Sequence, residues 1–158
     1  MTRFRALLAA ALFASASAAH AAAAPSEIEA HRRLAERVFL EKMGQGRFDR
    51  VDEIYAPDFR ARTPDGDVSL DEDNASGREW RKAIPNLKGS VIRSVVEADL
   101  AAVHWRATGT NRVAAAGLPG LGKHIDIEGM TFFRFSGGRI AEEWSVIDVA
   151  RMLAQVGG

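Results

Sequence analysis

The chain has 158 residues, 47% of them hydrophobic and 27% charged, with 21 Lys+Arg against 21 Asp+Glu and no cysteine. These proportions suit one globular domain and exclude a mainly disordered, collagenous or multi-span membrane protein. Balanced charge argues against a nucleic-acid or acidic-membrane surface, which needs a basic excess, and the missing cysteine removes disulfides, thiolate catalysis and cysteine-based metal sites.

Residues 1–24 read as an export signal. Arg3 and Arg5 form a basic start, Ala6–Ala19 carries no charge, and Ala19-His20-Ala21 is a small-x-small cleavage site. The apolar run is too short and too rich in alanine for a membrane span, which takes about 20 apolar residues. The two arginines are not adjacent, so the twin-arginine route is not indicated, and no cysteine is present to carry a lipid. Cleavage near Ala21 or Ala24 would leave about 135 residues, slightly acidic because two arginines depart. The product is expected in the periplasm or outside the cell, without membrane attachment and held by its core alone. The alternative is an amphipathic helix that stays on the protein.

Residues 25–158 then form one domain. Ser26 and Glu29 have the spacing of a capping box. Ile28, His31, Leu34, Ala35, Val38 and Met43 follow as an apolar helical stripe that ends at Gly44 and Gly46. A shorter helix carries Phe48, Val51, Ile54 and Tyr55 and stops at Pro57. Asp58–Arg62 is a candidate strand, residues 63–67 a turn, and about Asn74–Ala83 a third helix. The period then changes, and Leu87–Glu97, Leu100–Asn111, His124–Phe135 and Arg139–Ile147 read as strands, with a short helix at Val149–Gln155. Helices followed by an antiparallel meander give an α+β domain, with the helices on one face of a curved sheet.

Strand alternation sorts the side chains. Ala101, Val103, Trp105, Ala107 and Asn111 should face inward, leaving His104 on the surface. Ile125, Ile127, Thr131, Phe133 and Phe135 should also face inward, which puts Met130 and Phe132 on the outer face. An outer apolar pair suggests a second copy of the chain, and cover by the N-terminal segment or a loop is the alternative. The last strand is in conflict, because its apolar set is Ile140, Trp144 and Val146.

Several phrases, in order, resemble the SnoaL-like polyketide cyclase family of the NTF2-like superfamily. They are Gly46–Phe59, Trp80–Leu87, Val103–Thr110, Gly117-Leu118-Pro119, Gly129–Phe135 and Gly138-Arg-Ile-Ala-Glu-Glu-Trp144. The resemblance implies a cone, a bent sheet wrapped around helices with an apolar pocket at its open end, and commonly a dimer through the outer sheet face. Cyclases of this kind use an aspartate after the tryptophan of a Glu-His-Trp-Asp phrase. Here the phrase is Glu142-Glu143-Trp144-Ser145, so Ser145 stands at the aspartate position and Glu143 at the histidine position. Arg62, Asn111 and Thr131 likewise occupy positions often held by histidine or aspartate. The family register places Glu143 and Ser145 in the pocket, which agrees with the apolar pattern if Trp144 joins Phe132 in a dimer interface; the alternative is that Glu143 is a solvated surface carboxylate.

Ser145 cannot take a proton near neutral pH without an adjacent base, so the candidate catalytic carboxylates are Glu143 and Asp148. Asp148 is equally placed to cap the last helix. Arg62 and Glu143 could pair at the pocket mouth. The other pocket candidates are His31, Tyr55, Phe59, Trp80, Trp105, Asn111, Thr131, Phe133 and Ser145, with His31 also readable as a core histidine. Phosphate-loop, dinucleotide, nucleophile-elbow and histidine-metal patterns are absent from the sequence, so no cofactor or metal is expected. The expected function is acid–base chemistry on a small, largely apolar molecule, of isomerase, cyclase or hydrolase type. The alternatives are a non-catalytic carrier on the same pocket or a dimeric interaction module. A buried carboxylate with a raised pKa in the pocket would favour the enzyme.

Overall fold

A computed structural model describes residues 24–157; the expected export segment lies outside them except for Ala24. The first helix, α1, spans Pro25–Arg37. The expected Ser26–Glu29 box does not form: Pro25 opens the helix after Ala24, with no side-chain cap. Proline is pre-set for the first helical position, where its missing N–H is not needed. The helix then widens into a π turn, Val38–Met43. His31, Ala35, Val38 and Lys42 are all buried along this continuous helical segment. A 3-10 helix, Phe48–Glu53, leads into the sheet.

Strand β1, Tyr55–Thr63, starts earlier than the sequence pattern indicates, and Tyr55 belongs to it rather than to the preceding helix. Pro57 biases Ala56 toward extended backbone. The pairing of this strand is interrupted between Tyr55 and Arg60, so the absent proline N–H removes no ladder bond. A short β2, Gly66–Ser69, turns back along it. Helix α2, Leu70–Ala83, begins before the expected Asn74 because Ser69 and Glu72 form a capping box, with the Ser69 N–H donating to Glu72 at 2.8 Å.

The remaining strands are β3 (Lys88–Glu97), β4 (Leu100–Asn111), β7 (Lys123–Ser136) and β8 (Arg139–Ile147). Between β4 and β7 a small hairpin pairs β5 (Ala114–Ala115) with β6 (Leu118–Pro119). Helix α3, Val149–Val156, packs back against β7. The main sheet runs β2-β1-β8-β7-β4-β3. The meander β3-β4-β7-β8 is antiparallel as expected, and β1 joins β8 in parallel, so the whole sheet is mixed. Its inner face packs against α1, the π turn and α2, giving the NTF2-like α+β cone.

A bulge resolves the conflict in the last strand. Phe135 pairs with Ile140, but Arg134 pairs with Glu142, so Ala141 is the extra residue. Ile140 therefore lies in the core, fully buried, while Glu143 and Ser145 point to the inner side opposite Phe133 and Thr131. Trp144 and Val146 are turned outward beside Phe132 and Met130. On that outer face Val95, Ala102, Phe132 and Trp144 form one row across four strands.

Candidate functional site

The cone encloses a cavity of about 430 Å³. Its apolar wall includes Val38, Phe39, Trp80, Trp105, Ile125 and Ile127. Two groups of polar side chains break this wall. In the first, Lys42 on the π turn pairs with Asp73 on α2 and donates to the Tyr55 hydroxyl at 3.3 Å. The Lys42 ammonium also lies 4.6 Å from the Tyr55 ring centroid. In the second, the Trp105 indole N–H donates to Thr131 Oγ1 at 3.0 Å, Thr131 and Ser145 share a hydrogen bond of 2.8 Å, and Ser145 donates to Glu143 Oε1 at 2.8 Å.

Electrostatics joins the two groups. Burial raises the Glu143 carboxyl, the Asp73 charge raises it further, and Lys42 and the Ser145 hydrogen bond oppose them; the balance is about 7. Glu143 therefore exchanges a proton near neutral pH, unlike an ordinary carboxylate. Burial first, then the Glu143 and Asp73 charges, pushes the Tyr55 hydroxyl well above its usual range, so it stays a neutral donor. Among the described residues no group of three His, Asp or Glu side chains is arranged to hold a metal ion.

Of the sequence candidates, Glu143, Ser145, Thr131, Trp105, Trp80, Tyr55 and Arg62 border the cavity. The expected Arg62–Glu143 pair does not form. Arg62 pairs with Glu142 and Asp67, because successive strand residues face opposite sides and the bulge directs Glu142 outward. The Glu142 hydrogen bond raises the Arg62 guanidinium, and the same contact lowers the Glu142 carboxyl. His31, Phe59, Asn111, Phe133 and Asp148 do not border the cavity. His31 stacks on Phe135, with ring centroids 4.0 Å apart, and its Nδ1 lies 3.0 Å from the Ala98 carbonyl oxygen. Phe59 and Phe133 are fully buried core residues. Asp148 caps α3 by accepting from the Arg151 N–H at 2.9 Å.

Asn111 is fully buried but holds backbone rather than ligand. Its amide donates to the Ala83 and Val113 carbonyls at 3.2 and 3.1 Å, and its side-chain oxygen accepts from the Gly120 N–H at 2.6 Å. It thereby ties the β4–β7 connection to the end of α2. Asn111→Ala should destabilise the protein by about 2 kcal/mol in urea unfolding, since it removes three buried or half-buried hydrogen bonds.

Lys42 and Asp73 were not among the sequence candidates. Lys42 carried a signal: it continues the His31, Ala35, Val38 spacing, where an ionisable residue needs a buried partner. Asp73 carried none, since its only sequence context is an acidic helix start.

Residues 32–156 match the family model for SnoaL-like polyketide cyclases. No curated protein sequence matches the chain. Among solved structures, a protein from Jannaschia sp. CCS1 named as a SnoaL-like polyketide cyclase superposes with a TM-score of 0.75 at 20% identity, over 86% of this chain and 96% of that one. AclR from Streptomyces galilaeus, named as a hydroxylase, gives 0.73 at 22% identity, over 82% and 97%. IdmH from Streptomyces antibioticus, named as a polyketide cyclase, gives 0.71 at 22% identity, over 81% and 99%. At these identities the superpositions establish the fold.

Proposed function

Because the chain belongs to the SnoaL-like polyketide cyclase family, we propose that it carries out acid–base chemistry, of isomerase, cyclase or hydrolase type, on a small, largely apolar molecule, with Glu143 as the proton-transfer group. Family membership supports the broader statement, a cyclase- or isomerase-type action on a small molecule. The observation that carries the finer one is a carboxyl raised to about 7 on the wall of an apolar cavity. A base whose pKa lies near the working pH is both present in the right form and strong enough to act. Ser145, at the usual aspartate position, hydrogen-bonds this base. A ligand oxygen beside Lys42 would meet an ammonium and the Tyr55 hydroxyl, donors suited to developing enolate charge. The test is solvent-deuterium exchange into a panel of apolar ketones and β-dicarbonyls, followed by NMR. At least one should exchange in a protein-dependent manner, and Glu143→Gln should slow it by about 10²–10⁴-fold; a panel that binds without exchange would favour a carrier.

We also propose a dimer through the outer sheet face. Met130 is 61%, Phe132 54% and Val146 72% exposed, beside the row of Val95, Ala102 and Trp144. The rim carries both signs, with Arg106–Asp126 and His104–Glu128 pairs. A two-fold contact needs such self-complementarity, because each patch meets its own copy. Phe132→Glu should convert a dimer to a monomer in light scattering without lowering helix and strand content. A monomeric wild type would refute the proposal.

Residues 1–24 are proposed to direct export and to be removed. Protein recovered from the periplasm should have an intact mass lacking the first 21 or 24 residues, matching Ala21 or Ala24 as the last residue removed. An undiminished mass would count against export.

A further inference from the structure

We propose that Trp105 and Thr131 are positioning residues for Glu143: together they fix the direction of the hydrogen-bond chain through Ser145, so that Oε1 is held as an acceptor and Oε2 alone is left to exchange a proton with the ligand. The proposal rests on the reading of Glu143 as the acid–base group.

The number of available hydrogens sets the direction of the chain. An indole N–H is a donor with no acceptor capacity, and each hydroxyl has one hydrogen. Trp105 donates to Thr131 Oγ1 at 3.0 Å, so the hydrogen of Thr131 is free to go to Ser145, 2.8 Å away. The hydrogen of Ser145 then goes to Glu143 Oε1 at 2.8 Å. One end of the chain can only donate, and the other, an ionised carboxylate, can only accept. A proton placed on Oε1 would bring two hydrogens to the Ser145 oxygen and leave that hydroxyl's own hydrogen without an acceptor in the chain. Protonation is therefore directed to Oε2, since the hydrogen bond that Glu143 accepts from a described residue is made at Oε1.

Water cannot readily substitute for the two anchors, because Trp105 and Thr131 are 2% and 1% exposed, whereas Ser145 is exposed and takes its direction from them. The chain also depends on Gly129. Trp105 faces Gly129 across the β4–β7 ladder, and its ring occupies the space a Cβ there would need. The other groups acting on Glu143 are Lys42 from the π turn and Asp73 from α2, while Glu143 in turn raises Tyr55 on β1. None belongs to the chain, so the anchors can be altered while those groups stay in place.

The test reads the ionisation of Glu143 directly, by infrared difference spectroscopy on protein labelled with ¹³C-glutamate, using Glu143→Gln to identify its band. Wild type should titrate near 7. Thr131→Val, close to it in shape, removes the hydroxyl; the midpoint should rise by up to about one pH unit, a tenfold weaker acid. Thr131→Ser restores the hydroxyl and should return the midpoint to the wild-type value. Trp105→Phe should raise it in the same direction by a smaller amount. An unchanged midpoint in both Thr131→Val and Trp105→Phe would overturn the proposal, as would a Thr131→Ser shift equal to that of Thr131→Val. The titration is independent of turnover, so it decides the positioning role even if Glu143 proves not to be the reacting group.

Discussion

Replacing Glu143 with glutamine should make the protein more stable at pH 8, by about 3 kcal/mol, while leaving its stability almost unchanged below about pH 4. Glu143 titrates at about 7 in the folded chain against an ordinary 4.5. Between those values the folded state holds the proton more tightly than the unfolded state does, so stability falls as pH rises from about 4.5 to about 7 and stays lower above it. Glutamine has no proton to lose and accepts the Ser145 hydrogen bond through its amide oxygen. It therefore escapes the cost of ionising a partly buried carboxylate near Asp73. Below about pH 4 the carboxyl is neutral in the folded and the unfolded chain alike, and the advantage disappears. Urea unfolding at pH 8 and pH 4 checks this. An equal gain at both pH values would mean that the carboxyl is not held in the state described, and a loss at pH 8 would contradict it outright. Such a gain on removal is the stability cost expected of a carboxylate that serves an active site.

Lys42→Met should have the opposite effect, destabilising the protein by about 3–5 kcal/mol. Lys42 is 7% exposed and is the cation paired with Asp73; it also counters the charge on Glu143. Without it, Asp73 and Glu143 are two acids with no nearby compensation. The Glu143 midpoint should therefore move up, because the interaction that lowers it is lost while the Asp73 charge remains. Adding Asp73→Asn should recover most of the stability, since the partner's uncompensated charge is then removed as well. Thermal unfolding of the two single variants and the double variant forms the cycle. Strict additivity of the single losses would show that Lys42 and Asp73 act independently and would contradict the pair.

The fold was legible to a large extent because its sheet follows simple alternation. The inward sets of β4 and β7 emerge from their period-two patterns, and Met130 and Phe132 stand outside as that pattern requires. The last strand was not fully legible, because a single extra residue, Ala141, reverses its parity midway. Ile140 and Glu143 both face inward although no uninterrupted strand could place them so. Local start signals misled in a similar way. Ser26 and Glu29 have the spacing of a capping box but Pro25 takes precedence, while the functioning box at Ser69 and Glu72 was hidden among turn residues.

The candidate site was half visible. Glu143, Ser145, Thr131, Trp105 and Tyr55 converge as strand direction and family register suggest. The Lys42–Asp73 pair depends on packing between the π turn and α2, for which one sequence holds no direct signal. Asn111 illustrates the converse: a polar residue at the end of an inward-facing set is used to secure a loop. Arg62 was drawn toward the wrong glutamate because Glu142 and Glu143 are adjacent in sequence but face opposite sides of the sheet.

The most direct measurement of the central claim is the pH dependence of ligand proton exchange catalysed by wild type and Glu143→Gln. With Glu143 as the base, the wild-type rate should rise with pH through a midpoint near 7 and level off above it, while the glutamine variant shows no such step and little exchange at any pH. A wild-type midpoint near 4.5, or a glutamine variant that retains the full profile, would contradict the assignment.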